Sequence, residues 1–292
     1  MEFKKIELCD KEKLNRFLKH SDELTCELSF VNLLVWQSIY NNCYCIENDT
    51  LFLKSCDNNI ATYSLPFGDM QSGMQRLIEH CGKLPDIWAQ GGKRFDEFKK
   101  LYGKFYDIYE SRNEFDYIYN SSDLINLSGK KYHSKRNHIS AFSKQYKWHY
   151  EEITAQNMAN VKACAEKWYG QYGDNLDEEL QSEKRGVELM LNNMTELDVQ
   201  GGAIVVDNNV VAFTLGSSIN EQVYNIFVEK AIVRYETAYT IINREFAARN
   251  AKNHKYINRE DDLGIEGLRR SKLSYKPEIL LPKYICTVKE DL

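Results

Sequence analysis

Proline is scarce in this sequence, 4 residues in 292, so there is little room for stiff extended linkers. No stretch approaches the roughly 18–20 consecutive apolar residues that a bilayer-spanning helix needs. The opening residues, Met-Glu-Phe-Lys-Lys-Ile-Glu, lack the apolar centre of a secretory signal. None of the eight cysteines forms a Cys-x-x-Cys pair, and Cys43 and Cys45 have no second pair at zinc-ligand spacing. Without an export signal they are expected to be reduced thiols, packed mostly as small hydrophobes. The six histidines include neither His-x-x-x-His nor His-Glu-x-x-His, and His133 and His138, five apart, do not align on a helix. Gly-x-Ser-x-Gly and Walker-type loops are absent as well. These absences argue against a disulfide scaffold, a zinc or other metal site, a hydrolase nucleophile elbow and a P-loop enzyme. They predict a soluble, cytoplasmic protein. A net charge of −5, from 38 basic and 43 acidic residues, also argues against nonspecific coating of nucleic acid, which needs a broad positive field.

What is present suffices for two real cores: 43% hydrophobic and 28% charged residues over a length that fits two domains. In the first half a polar helix is expected around Lys11–His20, followed by an apolar helical segment over Leu28–Trp36. Tyr44–Ile46 and Leu51–Lys54 read as a hairpin turning on Asn48-Asp49, and Ala61–Leu65 as a further strand. Met70–Cys81 reads as a helix stopped by Gly82. Ile87–Ala89, Phe95–Tyr102 and Phe105–Tyr109 continue as strand, helix and strand. The second half repeats this grammar. Helical stripes run through Met158, Val161, Ala165 and Trp168 and through Val187, Met190, Met194 and Leu197. Strands Gly202–Val206, Val210–Ser217 and Gln222–Val228 follow, then a helix over Tyr235–Asn250, a strand at Lys255–Asn258, a short helix at Ile265–Ser271 and a closing strand at Pro282–Val288. The order indicates an α/β chain with mixed sheets, matching an acetyltransferase-like (GNAT) domain in the second half and more loosely in the first. The expected division is a first domain over residues 1–128 and a second, site-bearing domain over 129–292.

Two stretches depart from the acidic average. Gly129–His138 carries Lys130, Lys131, Lys135 and Arg136, and Arg269–Lys276 carries Arg269, Arg270, Lys272 and Lys276, neither with a carboxylate. Grouped basic side chains can grip phosphate, Arg with a bidentate fork and Lys as a point charge. Either run also reads as a solvated helical face. Between them Asn258-Arg-Glu-Asp-Asp262 falls where a strand ends and a helix begins, the place where ligands sit in open α/β sheets. Three consecutive carboxylates, Glu260, Asp261 and Asp262, are costly to crowd unless exposed, paired or sharing a proton. One with a raised pKa could take a proton from an attacking amine, while Asp262 ahead of Leu-Gly-Ile-Glu266 equally reads as a helix cap. A phenol such as Tyr239 or Tyr275 could protonate a leaving group, although core packing is the ordinary role of a tyrosine.

Three blocks, Asp116-Tyr-Ile-Tyr119, Leu127–His138 and Tyr256–Pro277, resemble in order and separation the signature blocks of the family related to the C-terminal domain of bacterial phosphatidylglycerol lysyltransferases. The resemblance spans most of the chain. It implies two tandem GNAT-like domains, an arrangement shared with Fem-type aminoacyl transferases, and transfer of an amino acid from aminoacyl-tRNA to a lipid headgroup. It places Asp261 and Asp262 at the reaction centre, and Lys131, Arg136, Arg269 and Lys272 on the phosphates of donor or acceptor; Glu260 and Tyr275 complete the candidate catalytic set, and Lys135 and Arg259 the candidate phosphate-binding set. The implied donors are aminoacyl-tRNA or acyl-CoA, and an anionic lipid at a membrane surface is the implied acceptor. One departure bears on the donor. Acetyl-CoA users hold pyrophosphate in a Gly-rich turn, and here the turn reads Val233-Arg-Tyr-Glu-Thr-Ala238, without glycine and with Glu236 of the wrong sign. Three readings therefore stand: an aminoacyl or acyl transferase, a noncatalytic phosphate-binding module, and a CoA-dependent N-acetyltransferase.

Overall fold

The structure, a computed structural model, describes residues 1–19, 21, 23–57, 60–173 and 177–290. The chain begins with β1 (Lys4–Lys5), α1 (Lys11–Leu18), α2 (Phe30–Val35) and α3 (Gln37–Tyr40). Strands β2 (Cys43–Glu47), β3 (Thr50–Asp57) and β4 (Ile60–Ser64) lead to α4 (Met70–Cys81), β5 (Ile87–Gln90), α5 (Lys93–Tyr102) and β6 (Tyr106–Glu110). Next come β7 (Asp116–Asn120), α6 (Ser121–Asn126), α7 (His133–Gln145), β8 (Trp148–Glu152), α8 (Met158–Gly170) and α9 (Glu178–Asn192). The meander β9 (Gln200–Val206), β10 (Asn209–Ser218) and β11 (Val223–Ala231) precedes α10 (Ala238–Asn250), β12 (Tyr256–Asn258), α11 (Glu266–Leu273), β13 (Ile279–Leu281) and β14 (Lys283–Val288). Among the described residues no helix is long and apolar enough to cross a membrane. The helix expected over Lys11–His20 ends at Leu18, and His20 lies outside the described residues.

Local chemistry accounts for the boundaries. Asn48 and Asp49 both take left-handed backbone (φ 48 and 55), as a two-residue hairpin turn requires. The Asp69 side chain accepts from the Ser72 amide to start α4, and Gly82 (φ 68) ends it, where a Cβ would be strained. Contacts divide the chain into two compact units. One comprises Met1–Asp116, Asp261–Glu266 and the chain from Leu280 onward; the other comprises Tyr117–Glu260 and Gly267–Ile279. The dividing line thus falls at 116/117 rather than at 128/129, because Tyr117, Tyr119 and Leu124 are all fully buried in the second core. The closing strand does not complete the second unit either. β14 inserts between β5 and β6 of the first, with Cys286 fully buried and Tyr284 stacked 4.3 Å from Phe95 of α5.

The first sheet has the order β1-β2-β3-β4-β5-β14-β6, antiparallel in its registered pairs except for β4–β5. The second has the order β13-β7-β12-β11-β10-β9-β8. Within it β11 and β12 run parallel over Val223↔Tyr256, Tyr224↔Ile257 and Asn225↔Asn258; β12 then ends while β11 continues to Ala231. A register shift between Leu215 and Gly216 bends β10 beside this point. Gly216 is required there, since a Cβ would lie 2.5 Å from the Asn225 carbonyl. Helix α10 backs the sheet with Ile241, Ile242 and Phe246, all fully buried; each contributes about 1.5–3 kcal/mol of apolar transfer free energy.

Candidate functional site

In the second unit, the end of β12 leaves β11 without its parallel neighbour, and the chain turns sharply. The Asn258 side chain accepts the Glu260 amide at 2.7 Å, and Glu260 takes left-handed backbone (φ 56). Arg259, between them, reaches Glu229 on the continuing strand: Nε donates to Oε2 at 2.9 Å and Nη2 donates to the same oxygen. Both side chains are about nine-tenths buried, at 10% and 9% exposure. Asn243 of α10 donates to the other Glu229 oxygen at 2.9 Å. Nη1 of Arg259 and Oδ1 of Asn243 are buried and have no hydrogen-bond partner among the described residues. Buried polar atoms are rarely left so, and these two, a donor and an acceptor, flank one carboxylate.

Tyr275 completes the cluster. The Arg259 guanidinium lies 4.8 Å from its ring centroid and the Lys135 ammonium 3.7 Å from the same centroid. Lys135, on α7, also donates to Ser274 Oγ at 2.7 Å. Burial, helped by the nearby Arg259 charge, pulls the Lys135 amine down to about 8. Burial pushes the Tyr275 phenol up, against the pull of Arg259 and a hydrogen bond with Thr240, so it stays protonated at neutral pH. Lys272 of α11 donates to the Arg259 carbonyl at 2.6 Å, and Tyr119 of β7 donates to the Lys272 carbonyl at 2.8 Å. The Asn225 side chain, fully buried on β11, donates to Glu260 Oε1 at 2.8 Å.

Lys135, Arg259, Lys272 and Tyr275 therefore come together in the second unit, with Glu260 adjoining through Asn225. Lys131 and Arg136 do not join them. Lys131 pairs with Asp123 at 2.7 Å, and Arg136 donates to the carbonyls of Leu127 and Gly129, securing the turn before α7. Arg269 is half-buried on α11. Asp261 and Asp262 belong to the first unit. Asp262 is fully buried there, with Oδ2 3.2 Å from Arg112 and Oδ1 accepting the Gly264 amide at 2.9 Å, an Asx turn in the loop before α11, which begins at Glu266. Half-buried Asp261 acts with Asp116, Cys26 and Glu27 to hold Lys283 well above the usual lysine range, against the cost of burial. Cys26, Glu27 and Asp116 present ligand atoms within 4.8 Å of one another, the one such group among the described residues. The Lys283 ammonium, 2.8 Å from Asp116, already supplies the positive charge at that spot.

The expected phosphate turn begins as a 3-10 turn over Val233–Tyr235, and the amides of Tyr235, Glu236, Tyr239 and Thr240 all close local turns. Such engagement leaves a poor backbone cradle for pyrophosphate. Sequence reasoning did not reach Glu229, Asn243 or Asn225. The available signal was polarity in the wrong place: an acid near the end of an apolar strand, and an asparagine on the buried stripe of α10.

Residues 18–287 match the family model described as phosphatidylglycerol lysyltransferase, C-terminal. Uncharacterized protein MYCGA3080 of Mycoplasmoides gallisepticum is 26% identical over 186 residues; the match covers 62% of this chain and 58% of that protein, less than two thirds of its length. A conserved protein of unknown function from Bacteroides thetaiotaomicron superposes with a TM-score of 0.93 at 34% identity, over 99% of this chain and 100% of its own. L-PGS from Bacillus licheniformis gives 0.63 at 17% identity, covering 96% and 92%. A GNAT-family acetyltransferase from Colwellia psychrerythraea gives 0.51 at 7% identity, covering 99% and 100%. The architecture is a tandem GNAT-like fold with mixed sheets.

Proposed function

Since the chain belongs to the phosphatidylglycerol lysyltransferase C-terminal family, we propose that it is a transferase moving an aminoacyl group from aminoacyl-tRNA to a hydroxyl or amine acceptor, an anionic lipid headgroup foremost. The observation that carries the aminoacyl choice is the pair of unmatched buried atoms beside Glu229. Arg259 Nη1 needs an acceptor and Asn243 Oδ1 needs a donor. An aminoacyl group offers both, a carbonyl and an α-ammonium, whereas an acetyl group offers only the first. The occupied amides at the start of α10 weigh against acyl-CoA as donor.

In this reading the acceptor oxygen or nitrogen attacks the carbonyl carbon and its proton passes to the Glu260 carboxylate, which Asn225 orients. Arg259 steadies the developing oxyanion. The carbon–oxygen bond to the tRNA ribose breaks as the protonated Tyr275 phenol supplies a proton to the leaving ribose oxygen, which departs as a hydroxyl, and the proton held by Glu260 restores the phenol through solvent. Lys135 and Lys272 hold phosphate oxygens of the donor, with Lys131 and Arg136 reduced to supporting structure. Asp262, with both oxygens engaged, shapes the turn rather than moving protons.

The test is transfer of labelled amino acids from a charged tRNA pool to phosphatidylglycerol vesicles, run beside acetyl-CoA with amine acceptors. Labelled lipid should form, and Glu260→Gln should slow it by about 10²–10⁴, the range for losing a general base. Acetylation from acetyl-CoA with no transfer from any charged tRNA would refute the reading. A noncatalytic phosphate-binding module is the second reading, favoured by the closure of Arg259 onto Glu229; tRNA binding without turnover of any acceptor would establish it.

A further inference from the structure

The first unit has its own parallel strand pair. β4 and β5 align through Tyr63↔Ile87 and Ser64↔Trp88. Ligands of open α/β sheets sit beyond the carboxyl ends of such strands, where the connections part. Here β4 runs on through Phe67 and Gly68 into α4, and β5 runs on through Gly91 and Gly92 into α5. At that end lies a cavity of about 500 Å³, lined among others by Arg16, Phe17, Ser21, Asp49, Phe67 and Arg94. The size suits a small organic ligand, typically 300–1,000 Å³.

Arg94 is held in place from behind. Its guanidinium lies on the Phe67 ring at 4.3 Å, Nη2 donates to the Leu65 carbonyl at 2.9 Å and to the Pro66 carbonyl, and Nη1 is 3.5 Å from Glu23. Burial lowers its pKa from the ordinary arginine value, with Glu23 and Glu97 opposing. Exposed Arg16 brings a second positive charge to the same cavity, and Asp49 and Ser21 bring acceptors. Phe17 and Phe67 supply apolar area. A guanidinium charge fixed in place, a second cation and two rings suit an anion attached to an apolar body.

We infer that the first unit binds, in this cavity, a small molecule bearing a phosphate or carboxylate, with an apolar or aromatic body against Phe17 and Phe67 and a hydroxyl or amine donor toward Asp49. This site stands apart from the aminoacyl reading, which rests on the second unit alone.

Calorimetric titration of the full chain with AMP, adenosine, inorganic phosphate and benzoate tests it. Saturable one-to-one binding of AMP or phosphate identifies a phosphate site, and binding of benzoate alone identifies a carboxylate site. Arg16→Ala and Arg94→Gln should each weaken that binding about tenfold or more, the equivalent of one charge-assisted contact. Because Arg94 also braces two carbonyls, the exposed Arg16 keeps the test sound if Arg94→Gln unfolds. Four results would overturn the assignment: no binding of AMP, phosphate or benzoate; adenosine binding as tightly as AMP; affinity unchanged in Arg16→Ala; or binding abolished by Arg259→Met in the second unit.

Discussion

Glu229→Gln isolates the electrostatics of the second unit, because it removes one charge from a nine-tenths buried pair and changes almost no volume. Glu229 receives two donors from Arg259 and one from Asn243. The glutamine amide group can accept only at its oxygen, so at least one of these donors would meet an NH₂. Arg259 remains charged and would be left buried without its counterion; losing one partner of a buried pair typically costs about 3–5 kcal/mol. At roughly 2–4 °C per kcal/mol for a domain of about 150 residues, the unfolding midpoint should fall by about 6–20 °C. Trp36 and Trp88 lie in the first unit and Trp148 and Trp168 in the second. Tryptophan fluorescence in a Trp36→Phe/Trp88→Phe background therefore reports the second unit alone. The double variant Glu229→Gln/Arg259→Met removes the orphaned charge and should recover more than half of the loss. A midpoint within about 2 °C of the parent in Glu229→Gln, less than one kcal/mol at that conversion, would refute the claim that the pair is desolvated. So would a double variant that simply adds the two single losses.

Lys135, at about 8, should label before other lysines when limiting amine-reactive reagent is added at pH 8, and Arg259→Met should raise its pKa and slow that labelling; peptide mapping decides. Its folded pKa lies below the unfolded 10.5, so the unfolded chain binds the extra proton between those values and second-unit stability should rise as pH goes from about 8 to 10.5; a falling midpoint there would contradict the assignment. Lys283 has the opposite sign: raised above 10.5, its contribution to the first unit is complete below that pH and is lost only as pH climbs toward the folded value, so Asp116→Asn should lower the first-unit midpoint at pH 7 and flatten this alkaline loss. Gly82→Ala, at a left-handed helix end with φ 68, should cost about 1 kcal/mol by urea titration. Phe246→Ala, in the fully buried stripe of α10, should cost about 3–5 kcal/mol.

The secondary structure was readable where one face of an element is buried. α4 shows this well, with Met70, Met74 and Leu77 at helical spacing, an Asp cap and a Gly stop. The hairpin on Asn48-Asp49 was readable for the same reason, since its turn chemistry is local. α7 was not. Its buried face amounts to Ile139 and Phe142, and the basic residues that dominate the segment drew attention to charge. Their actual duties differ one by one: Lys131 pairs with Asp123, Arg136 holds two carbonyls, and Lys135 turns inward onto Tyr275. The first two duties are local, seven to nine residues away, but the inward turn of Lys135 depends on Ser274 and Tyr275, 139 or more residues along the chain, which local pattern does not encode. The return of β14 to the first sheet has the same origin. Its alternation of Tyr284 and Cys286 specifies a strand with one covered face, yet which sheet covers it depends on the partners at β5 and β6.

The two units invite a comparison of their arginines. Arg94 follows the parallel strand β5 by four residues, and Arg259 follows the parallel strand β12 directly. Each is the first arginine after the carboxyl end of its strand, and each lies over an aromatic ring, Phe67 or Tyr275. Their counterions separate them. Arg259 is satisfied by Glu229 from the neighbouring strand, so a ligand there meets a neutral pair and must gain through the unmatched Nη1 and Asn243 Oδ1. That arrangement suits a group with little net charge and exacting hydrogen-bond geometry, because neutral pairs discriminate by unsatisfied partners more than by field. Arg94 faces Glu23 at 3.5 Å and shares its cavity with exposed Arg16 and with Asp49, so an entering ligand meets the field of these fixed charges. A field of that kind selects charge first and shape second. One architecture used twice can therefore divide the work of recognition: the first unit sensing an anion, the second reading the polar geometry of a transferable group.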